Sequence, residues 1–234
     1  MSTAPGDSAG PVRLPCPLRA VVFDLDGTLI DSRLDIAAAA NHALGAHAFP
    51  TLSTAEVATF VGDGARLLLA RAARLDASDA RLEPLLQTFL AYYAAHPADH
   101  SLVLPGAREA LIALAQWPLA LCTNKPRSIT DAVLRELGLT APFSVVVAGG
   151  DLPKNKPDPL PLRNIAERLG LRPAELVLVG DGQQDVRCAK AAGARSVGVA
   201  GGLQGSELLL AAAPDLFLPS LVELPAAIAP WFTP

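Results

Sequence analysis

The stretch Ala20-Val21-Val22-Phe23-Asp24-Leu25-Asp26-Gly27-Thr28 decides the fold. A short apolar run that ends in carboxylates and a glycine has the pattern of a buried strand stopping at a loop. Runs of the same kind occur at 119–122, 144–148, 176–179, 196–200 and, more weakly, 216–219. Helical patterns lie between them at 128–137, 160–169 and 185–192, followed by Gly138, Gly170 and Gly193. A glycine just past the last apolar residue is the usual left-handed helix stop. Strands alternating with helices of about ten residues imply crossover connections. The expected fold class is therefore α/β, with a Rossmann-like parallel sheet core and helices on both faces.

One segment breaks the rhythm. From Asp31 to about His100 only helical patterns are found, at 32–46, 53–60, 65–75 and 80–95. A helical insert placed directly after the first strand is expected to form a cap domain over the sheet's edge. The expected division is a disordered tail over 1–18, a core domain over 19–30 and 102–234, and an α-helical cap over 31–101. The tail is rich in Pro, Gly, Ser and Ala and lacks the basic start and apolar run of a secretory signal.

Hydrophobic residues make up 51% of the chain and charged residues 18%, which suits a sizeable core. Mean hydropathy is +0.34. Nineteen basic against 23 acidic residues give a net charge of −4, and the basic residues are scattered, which argues against a nucleic-acid partner. The longest apolar runs, such as 110–122 with Gln116 and Pro118 inside it, fall short of the roughly 18 residues a membrane-spanning helix needs. Cys16, Cys122 and Cys188 form an odd set without C-x-x-C spacing, so neither a disulfide framework nor a zinc knuckle is indicated and a reducing cytoplasm fits. The oligomeric state stays open.

Four elements carry chemistry, each at an expected strand end, where ligands bind in open α/β sheets. Asp24 and Asp26 are two residues apart, and carboxylates so close call for a cation or a proton between them. The run Thr123-Asn124-Lys125-Pro126 offers a hydroxyl and helix-start amides, which suit either a phosphate oxygen or a helix cap. The loop Lys154-Asn155-Lys156-Pro157-Asp158-Pro159 presents ammonium groups. Finally, Gly180-Asp181-Gly182-Gln183-Gln184-Asp185 ends another strand with two acids, of which Asp185 is either a helix cap or a further carboxylate at the rim. Three carboxylates and one cation in a crevice call for a hard divalent metal such as Mg²⁺.

These elements, in this order from Val21 to Asp185, resemble the haloacid dehalogenase-like hydrolase superfamily, with its D-x-D-x-T motif, strand-end Ser/Thr, lysine and final acidic motif. Within it the chain is most similar to the phosphoglycolate phosphatase family. The shared stretches are Asp31-Ser32-x-x-Asp35, Asn41-x-Ala43-Leu44, Val61-Gly62-Asp63-Gly64-Ala65-Arg66, Thr123-Asn124-Lys125-Pro126 and Lys156-Pro157-x-Pro159. One departure is Gly182, where many relatives have Ser.

The resemblance implies a Mg²⁺-dependent phosphatase of small phosphomonoesters, foremost 2-phosphoglycolate, acting through a phosphoaspartate. It makes Asp24 the nucleophile and Asp26 the acid and base. Thr123, Asn124 and Lys156 would hold the phosphoryl oxygens. Mg²⁺ would be bound by Asp24, Asp181 and the backbone carbonyl of Asp26, with Asp185 close behind. In the cap, Arg66 and the Gly64 turn are expected to bind the substrate carboxylate. Hinges are expected near Asp31-Ser32 and Leu104-Pro105-Gly106.

Rival readings are weaker. The run Gly201-Gly202-Leu203-Gln204-Gly205 lacks the G-x-G-x-x-G order of a dinucleotide binder, and no G-x-x-x-x-G-K-[ST] loop is present. Mutases of the β-phosphoglucomutase kind carry a His where Ile36 stands, and dehalogenases lack the second aspartate. Phosphatases for sugar acid phosphates such as N-acetylmuramate 6-phosphate remain an alternative within the superfamily. His42, His47, His96 and His100 show no ligand spacing, Cys122 suits a core position, and Tyr92 and Tyr93 are expected to pack the cap, with one ring facing the substrate as the alternative.

Overall fold

The computed structural model describes residues 16–203 and 205–232. Residues 1–15 of the expected tail lie outside these. Leu18, assigned to that tail from the sequence, is instead buried, and its N–H donates to the Trp231 carbonyl at 2.7 Å.

The strands in chain order are β1 (Ala20–Phe23), β2 (Ile30–Asp31), β3 (Leu102–Val103), β4 (Leu119–Pro126), β5 (Val145–Gly149), β6 (Leu176–Gly180), β7 (Arg195–Val199) and β8 (Leu216–Leu218). Six of them form one parallel sheet in the order β5-β4-β1-β6-β7-β8. From β1 the chain first builds outward through β4 to β5 and then returns to the other side of β1 at β6. The strand order therefore reverses between β1 and β6, and a crevice at such a switch point is where open α/β sheets bind ligands.

Side chains alternate across a strand, and β1 shows why its run is wholly apolar. Val21 and Phe23 enter one core, while Ala20 and Val22 enter a second core on the opposite face. The first eight α-helices in chain order are α1 (Arg33–Ala46), α2 (Thr54–Ala58), α3 (Ala65–Ala73), α4 (Leu82–Ala95), α5 (Ala107–Ala113), α6 (Arg127–Glu136), α7 (Leu160–Leu169) and α8 (Gln183–Ala192). Leu162 and Ile165 of α7 and Cys188 and Ala189 of α8 fill the second core. Ile129 and Val133 of α6 belong to the first, together with apolar residues of α1, α3 and α4.

Helices α1 to α4 all lie between β2 and β3, which pair antiparallel as Ile30 with Val103 and Asp31 with Leu102. The apolar run 110–122 proves to be two elements, because Pro118 separates the end of α5 from the start of β4. Strand β4 continues beyond Cys122, the expected strand end. Its register with β5 shifts between Cys122 and Pro126, so Thr123, Asn124 and Lys125 sit on an irregular strand extension.

Candidate active site

Asp24 follows β1 directly, Asp181 follows β6, and Asp185 lies in the first turn of α8. Each offers a carboxylate oxygen within 4.8 Å of the other two, and all three residues are buried. Asp181 is held by the Thr28 hydroxyl at 3.1 Å and the Leu203 N–H at 3.0 Å. Asp185 accepts the Gly182 N–H at 3.1 Å. Glycines make room for the cluster: a Cβ on Gly27 or Gly202 would overlap the Asp181 carboxylate, and one on Gly180 would overlap that of Asp185.

The Lys156 ammonium stands 2.8 Å from Asp24 and 2.6 Å from Asp185. Burial pushes the Asp24 carboxyl up to about 8, against the pull of Lys156. Burial, reinforced by Asp185, pushes Asp181 up to about 7. For Lys156 burial opposes the charge, but Asp185 and Asp24 outweigh it and hold the ammonium well above its usual range. Three carboxylates facing one ammonium leave negative charge uncompensated in a place shielded from water. All-oxygen donors of this kind suit a hard divalent cation.

Asp26 sits apart from this cluster. Its Oδ1 accepts the Lys125 ammonium at 2.8 Å and the Ser32 hydroxyl at 2.5 Å. The Lys125 ammonium also donates to the Tyr93 hydroxyl at 2.5 Å and lies 4.4 Å from the centre of its ring. Burial pushes the Tyr93 phenol up to about 12. Burial works against the Lys125 charge, yet Asp26 and Tyr93 hold its pKa above the ordinary lysine range. A pocket opens here, lined from the sheet by Asp24, Asp26, Thr123 and Lys125 and from the insert by Ile36, Gly64, Leu68 and Tyr93.

Not every expected site residue reaches its expected partner. Thr123 lines the pocket, and its hydroxyl hydrogen has no acceptor among the described residues. Asn124 also lines it, but its side chain is already used. Nδ2 donates to the Gly62 carbonyl at 2.7 Å and the Lys156 carbonyl at 2.8 Å, and Oδ1 accepts the Lys156 N–H at 2.9 Å. Its amide thus braces the loop of Lys156 instead of meeting substrate. Gly64 adopts a φ of 91° at the start of α3, a conformation glycine favours, and lines the pocket.

Arg66 is a correction. Its guanidinium donates to Glu83 at 3.0 Å and to the Ala77 carbonyl at 3.3 Å, and it does not line the pocket. The face of α3 turned to the pocket carries Ala65 and Leu68, which are three residues apart, and Arg66 is rotated off that face. Lys125, Tyr93 and Ser32, by contrast, gather around Asp26, a grouping that the sequence pattern does not announce. Their signal was faint: Lys125 stood inside a motif valued for its neighbours, and Tyr93 was one of two adjacent rings.

A doubly wound parallel sheet with an acidic triad and a buried lysine at its switch point defines a hydrolase of the haloacid dehalogenase type. The chain belongs to the haloacid dehalogenase-like hydrolase family, whose model matches residues 21–199. It is 37% identical over 212 residues to the phosphoglycolate phosphatase of Pectobacterium atrosepticum, covering 88% of this chain and 91% of that one. With the phosphoglycolate phosphatase of Cereibacter sphaeroides it shares 44% identity over 181 residues, 75% and 82% of the two chains. The crystal structure of a predicted phosphoglycolate phosphatase from Haemophilus somnus superposes with a TM-score of 0.82 at 30% identity, covering 90% of this chain and 97% of that one. The chain is accordingly a phosphoric monoester hydrolase. Among the described residues no helix is long and apolar enough to cross a membrane.

Proposed function

We propose that this enzyme hydrolyses 2-phosphoglycolate to glycolate and phosphate, with Mg²⁺, through a phosphoaspartate on Asp24. The observation that carries the reading is the buried triad of Asp24, Asp181 and Asp185 against Lys156, of which Asp24 lines a pocket together with Asp26. The names of the relatives supply the substrate.

Mg²⁺, with Asp24, Asp181, Asp185 and the Asp26 backbone carbonyl as its candidate ligands, would neutralise charge on the phosphoryl oxygens. Asp24 attacks phosphorus, and the bond to the leaving glycolate oxygen breaks. Asp26 gives its proton to that oxygen. It then takes a proton from the water that attacks the phosphoaspartate, which frees phosphate and restores Asp24. Lys156 works against the burial that raises Asp24 and so eases its ionisation, and it offsets the repulsion among the carboxylates. Thr123 offers its free hydroxyl hydrogen to a phosphoryl oxygen. Asn124 acts through Lys156 as a positioning residue.

Residues 31–101 would serve as a cap that closes over the pocket, with hinges at Asp31-Ser32 and Leu104-Pro105-Gly106, and so exclude water. Ile36 lines the pocket where a mutase of the related kind needs a proton carrier, which favours hydrolysis. Cys16, Cys122 and Cys188 are all free, in keeping with a cytoplasmic enzyme. The test is phosphate release by the purified protein from a panel including 2-phosphoglycolate, N-acetylmuramate 6-phosphate and glucose 1-phosphate, with Mg²⁺ and with EDTA. Highest kcat/KM on 2-phosphoglycolate, lost in EDTA, supports the reading. Preference for a sugar phosphate, or full activity in EDTA, overturns it.

A further inference from the structure

We infer that Lys125, held by Tyr93 beside Asp26, selects substrates that carry a carboxylate close to the phosphoester over neutral phosphomonoesters. This rests on the phosphatase reading above and names the residue behind its substrate class. The groups around Asp24 suffice for phosphoryl transfer from any ester. Lys125 pairs instead with Asp26 and meets helix α4 of the insert through the Tyr93 hydroxyl.

Among the described residues that line the pocket, Lys125 is the only one with a positive charge. Arg66 is spent on Glu83, and Lys156 is spent on Asp24 and Asp185 without lining the pocket. An ammonium has three N–H donors. Two go to Asp26 Oδ1 and the Tyr93 hydroxyl, and the third has no acceptor among the described residues. Only 2% of the Lys125 side chain is exposed, so water has little access to that donor. A buried charged donor left unspent is costly, and a ligand oxygen would satisfy it.

The insert contributes in the same sense. Helix α3 begins at Gly64, and the first bond of its ladder runs from the Leu68 N–H to the Gly64 carbonyl. The preceding amides of that turn lack intrahelical acceptors and form the positive end of the helix. Gly64 and Ala65 line the same pocket as Lys125. A carboxylate there would meet positive charge from both sides. The neighbouring lining groups Ile36, Val61 and Leu68 offer no side-chain hydrogen bonds to sugar hydroxyls. A short carboxylic acid phosphate therefore fits better than a polyol phosphate.

Wild type, Lys125→Met and Tyr93→Phe are compared on 2-phosphoglycolate and on ethyl phosphate, with folding checked by near-ultraviolet circular dichroism. The readout is the ratio of kcat/KM for the acid ester to that for the neutral one. Lys125→Met is expected to lower this ratio about 30-fold or more, mainly through KM, as for a lost charge-assisted pair. Tyr93→Phe, which keeps the charge but frees it, is expected to lower the ratio by about 3- to 10-fold. Equal losses on both esters in Lys125→Met would mean that Lys125 only positions Asp26, and would overturn the inference. If Lys125→Met does not fold, Tyr93→Phe decides alone, and an unchanged ratio overturns it. A wild type without preference for the acid ester would instead refute the substrate reading and the inference with it. A wild-type preference that survives in folded Lys125→Met refutes the inference alone.

Discussion

Asn124 and Lys156 grip each other across two hydrogen bonds, the Asn124 Nδ2 to the Lys156 carbonyl at 2.8 Å and the Lys156 N–H to Asn124 Oδ1 at 2.9 Å. The backbone from which Lys156 reaches Asp24 is thereby tied to β4. Asn124→Ala leaves a buried N–H and a buried carbonyl at Lys156 unpaired, so a stability loss of about 1–3 kcal/mol is expected by urea unfolding. A displaced Lys156 should also lower kcat about 10- to 100-fold. Wild-type values of both would show that Lys156 keeps its place without this brace.

Asp24→Asn preserves shape but removes the nucleophilic carboxylate. Turnover is expected to fall by at least about a thousandfold, with an unchanged circular dichroism spectrum. Residual activity within about tenfold of wild type would rule out attack by Asp24.

The raised carboxyls tie stability to pH. Folding lifts Asp24 to about 8 and Asp181 to about 7, so protonation favours the folded state. That contribution is present in full below the ordinary carboxylate range and is lost as pH rises through 7 and 8. A metal must displace the same protons. In EDTA the melting temperature is therefore expected to carry a downward contribution between about pH 5 and pH 8, and the rise caused by excess Mg²⁺ should grow over the same span. Thermal melts across that range measure both. An increment from Mg²⁺ that does not change with pH would mean that the triad is already ionised without metal.

Arg66→Ala should leave kcat/KM on 2-phosphoglycolate within about twofold of wild type, because its guanidinium is engaged outside the pocket. Loss of the exposed pair with Glu83 should leave stability nearly unchanged. A fall in kcat/KM of about tenfold or more would return Arg66 to the substrate.

Gly202→Ala probes the crowding around Asp181 without the complication of a left-handed backbone. The added methyl group would push the carboxylate out of its place in the triad. Mg²⁺ affinity by isothermal calorimetry is expected to fall about tenfold or more, the scale seen when the support of a metal ligand is lost. Unchanged affinity would show that Asp181 can move without leaving the metal.

What the sequence discloses and what it hides divide along a physical line. Asp24 and Asp181 were legible because each directly follows a strand, and Thr123 and Asp185 because each comes within a few residues of an apolar run, which is a local pattern. Helices α7 and α8 were legible because Gly170 and Gly193 stop them. Arg66 misled because its direction depends on which face of α3 packs inward, and a nine-residue helix with alanines on several sides does not declare that face. Lys125 and Tyr93 meet across 32 residues of chain, and no local spacing records such a meeting. The two-residue strands β2 and β3 are too short to produce an alternation at all.

That short ladder matters beyond its size. The chain leaves the sheet through β2 and returns through β3, side by side, so both ends of the helical segment meet at one doorway. Among the described residues, none of that segment pairs as a strand with the six parallel strands, and the entropy of closing a longer or shorter excursion changes only slowly with its length. The segment is thus a cassette. A change within it would change the wall that Tyr93 and Gly64 give the pocket, while the strand ends bearing Asp24 and Asp181 lie outside it.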